Sequence, residues 1–295
     1  LVTPLAISAQ GTLKFQTPAE STMQLMSSTH TIQVLTIAGM DIENQTRQKA
    51  ILKEQTSTRA EDGTILVTGS TEAMKASLTF PGNIVINFDS MREIPPKGTQ
   101  YDVMLDLYKV LATAKTSRKL DKENRCLSYS TKMEGFDKLD PALKNSVKDQ
   151  LDNDYLRDVE NEKFKAIPST PIEEGDRWEV TSPMRLGGGQ VLEMKRSFTY
   201  KGTTSVAGTE VHAIEIKVIA VKLSQDANAE TPVKITASDL KVESSSGTFL
   251  FDNKRGMVTQ AELKFRLVGS LKLDLNGMEL PGKLDLSIET HEMVR

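Results

Sequence analysis

Between Met257 and Leu275 the chain reads MVTQAELKFRLVGSLKLDL, and Met257, Ala261, Leu263, Phe265, Leu267, Leu271, Leu273 and Leu275 all fall on odd positions. A period of two is the mark of a strand with one buried face. Asn276-Gly277 follows, the dipeptide best suited to a two-residue type I′ hairpin. That turn fixes a register pairing Leu275 with Met278, Leu273 with Leu280, Leu267 with Leu286 and Phe265 with Ile288. One face of the ribbon is then apolar, and Lys264, Lys272 and Glu289 fall on the other. Gly269 opposite Leu284 and Gly282 opposite Leu271 leave gaps on the apolar face where a bend or a bulky neighbour fits. A two-stranded ribbon is not stable alone, so this face must cover a core or a ligand. Phe265, Leu267, Leu271, Leu284 and Leu286 are therefore the candidate ligand-binding residues.

Other segments alternate less cleanly. Leu192, Met194, Phe198 and Tyr200 fall on even positions, and Ala207-Gly208 offers a turn into a strand over 211–223. In that strand the apolar parity switches between Val218 and Ile219, which predicts a β-bulge. Phe249 and Phe251 lead through the loop from Asp252 to Gly256 into the long ribbon, making a three-strand meander of residues 246–293. Residues 13–89, rich in Thr, Ser, Ile and Val, read as four or five strands with turns at Ala38-Gly39 and Asp62-Gly63. Ala38-Gly39-Met40-Asp41-Ile42 faintly echoes Asn276-Gly277-Met278-Glu279-Leu280, too short a match to establish duplication.

The middle of the chain changes period. Thr99 to Asp102 can form a capping box, and Met104, Leu107, Leu111 and Ala114 then share one face of a helix of three to four turns. A short hairpin is expected through Asp121 to Asn124. Asp140-Pro141 supplies an N-cap and a first-turn proline, and Leu143, Val147, Leu151, Tyr155 and Val159 recur every four residues, predicting one helix that reaches Phe164. Pro168 and Pro171 end it, and Gly175-Asp176 turns into a new strand at Arg177-Trp178. Strands, helices, then strands define the fold class: α+β, a mostly antiparallel curved sheet that could be an open half-barrel, with two helices inserted mid-chain. The expected organisation is one domain over 10–295, β-rich over 10–98, helical over 99–167 and β-rich again over 168–295.

Composition sets outer bounds. A chain of 295 residues can bury a real core. A net charge of -3 lacks the positive field that nucleic acid requires, so no nucleic-acid partner is expected. Its apolar runs fall short of the roughly 20 residues of a bilayer-crossing helix, so no transmembrane segment is expected in the mature chain. Leu1 to Ala9 reads as the cut end of a signal peptide, with Ala6-Ile7-Ser8 or Ile7-Ser8-Ala9 as the small-residue cleavage site, or else as an ordinary first strand. One cysteine, Cys126, allows no internal disulfide.

Candidate chemistry is sparse. His30, His212 and His291 lie far apart, without the paired spacing of a metal site or triad, so no metal, cofactor or catalytic residue is assigned. His212 shares parity with Ile214 and Ile216 and reads as a partly buried strand histidine, while His291 reads as exposed. Cys126 reads as a small buried hydrophobe. The run from Arg185 to Gln190 lacks the Gly-Lys-Ser/Thr of a phosphate cradle and reads as a loop. The acids Asp149, Asp152, Asp154, Asp158, Glu160 and Glu162 lack the glycine and final glutamate of a calcium loop and read as a solvated helix face. Carboxylates converging only in space would leave a hydrolase open as the alternative.

Two stretches stand out together. The first runs Pro168-Ser169-Thr170-Pro171-Ile172-Glu173-Glu174-Gly175-Asp176-Arg177-Trp178, and the second Ser246-Gly247-Thr248-Phe249-Leu250-Phe251-Asp252 with Gly256 beyond it. The combination resembles an uncharacterised family of exported bacterial proteins of about this length. That resemblance implies a periplasmic or secreted location and a curved antiparallel sheet, similar to the open half-barrels of periplasmic lipoprotein carriers. It assigns no activity and no site residues. The expectation is an exported, non-enzymatic binding or scaffolding protein whose partner is a lipid, another apolar ligand or an envelope protein.

Overall fold

The computed structural model describes residues 12–93, 95–96, 98–226, 231, 233–275 and 277–295. The leader-like residues 1–9 and Asn276 of the predicted turn lie outside them. Among the described residues the strands are β1 (Thr22–Ile37), β2 (Met40–Thr56), β3 (Ile65–Phe80), β4 (Ile84–Asp89), β5 (Lys115–Leu120), β6 (Cys126–Lys132), β7 (Arg177–Gly187), β8 (Gln190–Val206), β9 (Thr209–Gln225), β10 (Val233–Asp252), β11 (Met257–Leu275) and β12 (Met278–Val294). They form one open, curved antiparallel sheet in the order β6-β5-β3-β2-β1-β12-β11-β10-β9-β8-β7, with β4 paired to β3. The first strand lies beside the last, so the sheet has its two edges at β6 and β7, which are consecutive in sequence.

The predicted register of the C-terminal ribbon is the observed one: Leu275 faces Met278, Leu267 faces Leu286 and Phe265 faces Ile288. Gly277 has φ +87°, a value open to glycine at no steric cost. The expected bulge lies in β9, where Lys195 faces Ala220 and Arg196 faces Val218, leaving Ile219 without a partner and 42% exposed. Ala38 and Ala207 both take positive φ in their two-residue turns, and the β1–β2 hairpin stands beside the β11–β12 hairpin.

The helical region departs from expectation in two places. Helix α1 (Val103–Leu111) has nine residues and excludes Ala114. Thr99 does donate to the Asp102 carboxylate, from its N–H at 3.0 Å and its hydroxyl at 3.2 Å, but the two residues close a turn before the helix. The helix predicted from Asp140 to Phe164 is two helices, α2 (Pro141–Val147) and α3 (Asn153–Ala166). Asp140 caps the first as expected. Asp152 caps a second start by accepting from the Tyr155 N–H at 2.8 Å, and a run of short polar side chains there competes with the helical ladder.

Helix α3 fills the gap between the two sheet edges. It packs on β6 and touches β7, and its side chains bond to backbone groups that a further strand would otherwise take. Asn161 accepts from the Cys126 N–H at 2.8 Å and donates to the Cys126 carbonyl at 3.0 Å, while Asn153 accepts from the Thr131 N–H at 3.0 Å. On the other edge the Tyr155 hydroxyl accepts from the Arg185 N–H at 3.0 Å, and Trp178 Nε1 donates to the Ala166 carbonyl at 3.1 Å. An exposed edge invites pairing with another chain, and this helix covers both.

Candidate functional site

Alternation along the strands sends one set of side chains to the concave face. In β8 that set is Leu192, Met194, Arg196, Phe198 and Tyr200, and in β12 it includes Leu284, Leu286, Ile288 and Glu292. At one end of the concavity these residues close into a core. Phe265, Leu267, Leu271, Leu284 and Leu286 are all buried there, packed with Leu192, Met194, Val218, Leu223 and Leu273. None of these five lines the cavity described next.

Beneath α3 the concave face does not close. A cavity of about 520 Å³ remains, within the range of small-molecule sites. Its strand walls come from both halves of the sheet, including Val67 and Leu120 on one side and Phe198, Ile216 and Phe249 on the other. Helix α3 contributes Tyr155, Val159, Glu162 and Ala166 at helical spacing. Val159 is still 43% exposed, so apolar surface on the cavity's wall is left uncovered.

One further wall is the extended segment from Phe15 to Pro18. Phe15 sits edge-on to Phe164 of α3 and to Phe251 of β10, with ring centroids 5.0 and 5.3 Å apart. The Gln16 N–H donates to the Gly256 carbonyl at 2.8 Å, and a Cβ on Gly256 would lie 2.5 Å from Gln16. Buried Asn124 ties the other end, accepting from the Thr17 N–H at 3.1 Å and donating to the Phe15 carbonyl at 3.2 Å.

Two groups of charges enter this apolar space. Arg118 on β5 bonds to Glu54 at 2.6 Å and to Glu160 at 2.8 Å, and Lys163 reaches the second oxygen of Glu160 at 3.0 Å. Burial works against the Arg118 charge, but Glu160 and Glu54 together outweigh it and hold the guanidinium above its ordinary range. Burial likewise opposes the Glu160 charge, and Lys163 with Arg118 hold its carboxyl below the usual range. This cluster is neutral in sum. The acidic stretch is therefore not uniformly solvated as expected: Glu160 and Glu162 line the cavity, while Asp149, Asp152, Asp154 and Asp158 do not.

Arg196 is different. It donates to Ser182 Oγ at 2.8 Å and lies over the Phe198 ring at 5.7 Å. Its Nε, like that of Arg118, is buried without a partner, as is one oxygen of Glu162, whose other oxygen pairs with Lys165 at 2.5 Å. Burial pulls the Arg196 guanidinium below its ordinary range, opposed only by attraction to Glu162. Glu292 faces Ala261 across the ribbon, and enclosure by the protein pushes its carboxyl up. Sequence reasoning passed over Arg196 and placed Glu162 on a solvated face, although each interrupts an apolar stripe: Arg196 among the even residues of β8, Glu162 between Val159 and Ala166.

The remaining candidates have structural roles. His212 accepts or donates at 2.7 Å to the Tyr200 hydroxyl inside the core, and His291 is half-buried beside Glu262 rather than exposed. Cys126 is buried, which pushes its thiol up. Gly187, Gly188 and Gly189 all take positive φ at the β7–β8 turn. Asp176 and Asp252 accept from backbone N–H groups of their own turns, and Trp178 stacks on Phe198, which meets Phe249 edge-on. The two stretches of the family resemblance thus meet in one core. Among the described residues no three His, Cys, Asp or Glu side chains are placed to hold a metal, and no helix is long and apolar enough to cross a membrane.

No family model and no curated protein sequence matches the chain. Among solved structures it is similar to lipovitellin, in a structure concerned with lipid–protein interactions, at 9% identity and a TM-score of 0.44, over 95% of this chain and 25% of that one. It is also similar to an outer membrane channel from Pseudomonas putida F1, at 8% identity and a TM-score of 0.24 over the whole of both chains. An exported protein with a YmcC-like fold from Bacteroides fragilis is similar at 9% identity and a TM-score of 0.21, over 94% of this chain and 98% of that one. The chain spans about a quarter of the length of lipovitellin. Each likeness is distant, and none carries a function to this chain.

Proposed function

We propose that this chain is an exported, non-enzymatic binding protein of the bacterial envelope that holds an apolar ligand in the cavity beneath α3. The observation carrying this reading is the cavity itself: about 520 Å³ of space, walled by strands from both halves of the sheet and by one helix. Its wall is mostly apolar with a few convergent charged groups, the makeup of a small-molecule site. The envelope location draws on the resemblance of the 168–178 and 246–256 stretches to exported bacterial proteins. In this reading Phe265, Leu267, Leu271, Leu284 and Leu286 form the packed shoulder that keeps the concavity open beside them.

The test uses lipid-stripped protein and the neutral fluorophore N-phenyl-1-naphthylamine. Ala261→Trp places a large side chain on the cavity wall and is expected to weaken probe binding about tenfold or more while the circular dichroism spectrum stays unchanged. Equal binding by a folded variant would remove the cavity from the function.

A second reading, an envelope hydrolase, draws on the opposite shifts of Glu160 and Glu292 in one cavity. Against it, both oxygens of Glu160 are already engaged, by Arg118 and Lys163. Turnover of p-nitrophenyl acyl esters that Glu292→Gln abolishes would favour the hydrolase.

A further inference from the structure

Resting on the binding function above, we propose that the ligand is an anionic single-chain amphiphile whose acid group, a carboxylate or a phosphate, docks on Arg196. The apolar wall accounts for the chain of such a molecule. Arg196 accounts for its head.

The two arginines of the cavity show why the assignment falls on one of them. Arg118 spends its fork on two carboxylates, and the cluster it belongs to has no charge left to satisfy. The Nε of each arginine is buried without an acceptor, so the difference lies in charge: where Arg118 has two carboxylates, Arg196 has a serine hydroxyl and an aromatic face. Among the described residues no carboxylate lies within ion-pairing distance of it. The one carboxylate whose attraction it feels, Glu162, is paired with Lys165.

A guanidinium on a cavity wall shared with Phe198 and Ile216 is costly without a counter-ion. Its planar fork matches an oxyanion in two parallel hydrogen bonds, a geometry that a free acid head can meet and a neutral ester cannot. Arg196 also holds an inward position of β8, where alternation calls for an apolar side chain. Strand β8 pairs on both sides, with β7 and β9, so the arginine is presented from a fixed element rather than a loop.

The experiment measures displacement of N-phenyl-1-naphthylamine from the lipid-stripped full chain by palmitate, hexadecyl phosphate and methyl palmitate. The wild type is expected to prefer at least one acid over the ester by about tenfold to a hundredfold, the worth of a charge-assisted hydrogen bond. The relative affinity of palmitate and hexadecyl phosphate tells which acid the site takes. Arg196→Gln is expected to erase the preference by weakening the acid while the ester binds as before. Glu162→Gln, which removes the competing carboxylate, is expected to tighten acid binding severalfold, and this arm remains if Arg196→Gln fails to fold. Equal binding of acids and ester by the wild type would overturn the assignment to Arg196 and leave the cavity's role intact. Failure of the probe and all three amphiphiles to bind would overturn both.

Discussion

At the scale of single residues, the cavity contrasts an arginine paired with two carboxylates and one paired with none, and the two respond differently to removal. Arg118→Met takes the ion-pair partner from Glu54 and leaves Glu160 with Lys163 alone, and breaking a buried pair from one side costs about 3–5 kcal/mol. Urea unfolding is expected to show a loss of that order, with Glu160→Gln recovering part of it in the double variant. Arg196→Met removes a charge that the empty protein does not compensate, so its stability is expected to hold or rise while acid binding is lost, a divergence that thermal melts and displacement assays read separately. His212 supplies the pH dependence. Burial holds its imidazole below the ordinary value of 6.5, so the unfolded chain binds the proton more readily than the folded one. The contribution is therefore present above the ordinary value and lost as pH falls through the window beneath it. The melting temperature is expected to decline from about pH 7 to pH 5, and His212→Gln to flatten that slope.

At the scale of elements, much of the sheet was legible because a period of two carries its own test. The ribbon register from Phe265 to Ile288 and the bulge at Ile219 both followed from parity, since a one-residue slip would turn every leucine outward. The break between α2 and α3 was not legible: Leu143, Val147, Leu151 and Tyr155 keep a four-residue spacing straight through it. The break is set by side-chain bonds of Asp152 and Asn153, the second of which reaches a strand distant in sequence. The cavity's charges were missed for a related reason. Arg196 and Glu162 interrupt apolar stripes on different elements, and the two interruptions matter only once folding sets them against one space. Helix α3 has no fully buried residue, so its hold on the sheet edges is largely polar. Asn161→Ala would orphan the Cys126 N–H and carbonyl at the β6 edge, costing about 1–3 kcal/mol. It is also expected to raise the fraction of dimer and larger species seen by size-exclusion chromatography, because the freed edge can pair with another chain.

At the scale of the whole molecule, the order of strands makes the helical connection the natural door. Strands β1 and β12 meet in the middle of the sheet, which leaves β6 and β7 as the edges and places α2 and α3 on the segment that joins them. Strands β11 and β12 lie in the middle of the sheet, away from that opening, and are paired on both sides. Local opening draws on the least buried parts of a fold, so residues 153–166 are expected to exchange their amide hydrogens faster than residues 257–294. A ligand held beneath α3 binds the closed form and not the open one. At a hundredfold excess over its Kd such a ligand stabilises by about 2.7 kcal/mol. The protection should appear first in α3 and in the edge strands it covers, at Cys126, Thr131 and Arg185, whose backbone N–H groups bond to α3 side chains. Hydrogen exchange with and without palmitate or hexadecyl phosphate reads this directly. Protection spread evenly over the sheet, with α3 no slower than before, would mean that the ligand binds somewhere other than under the helix.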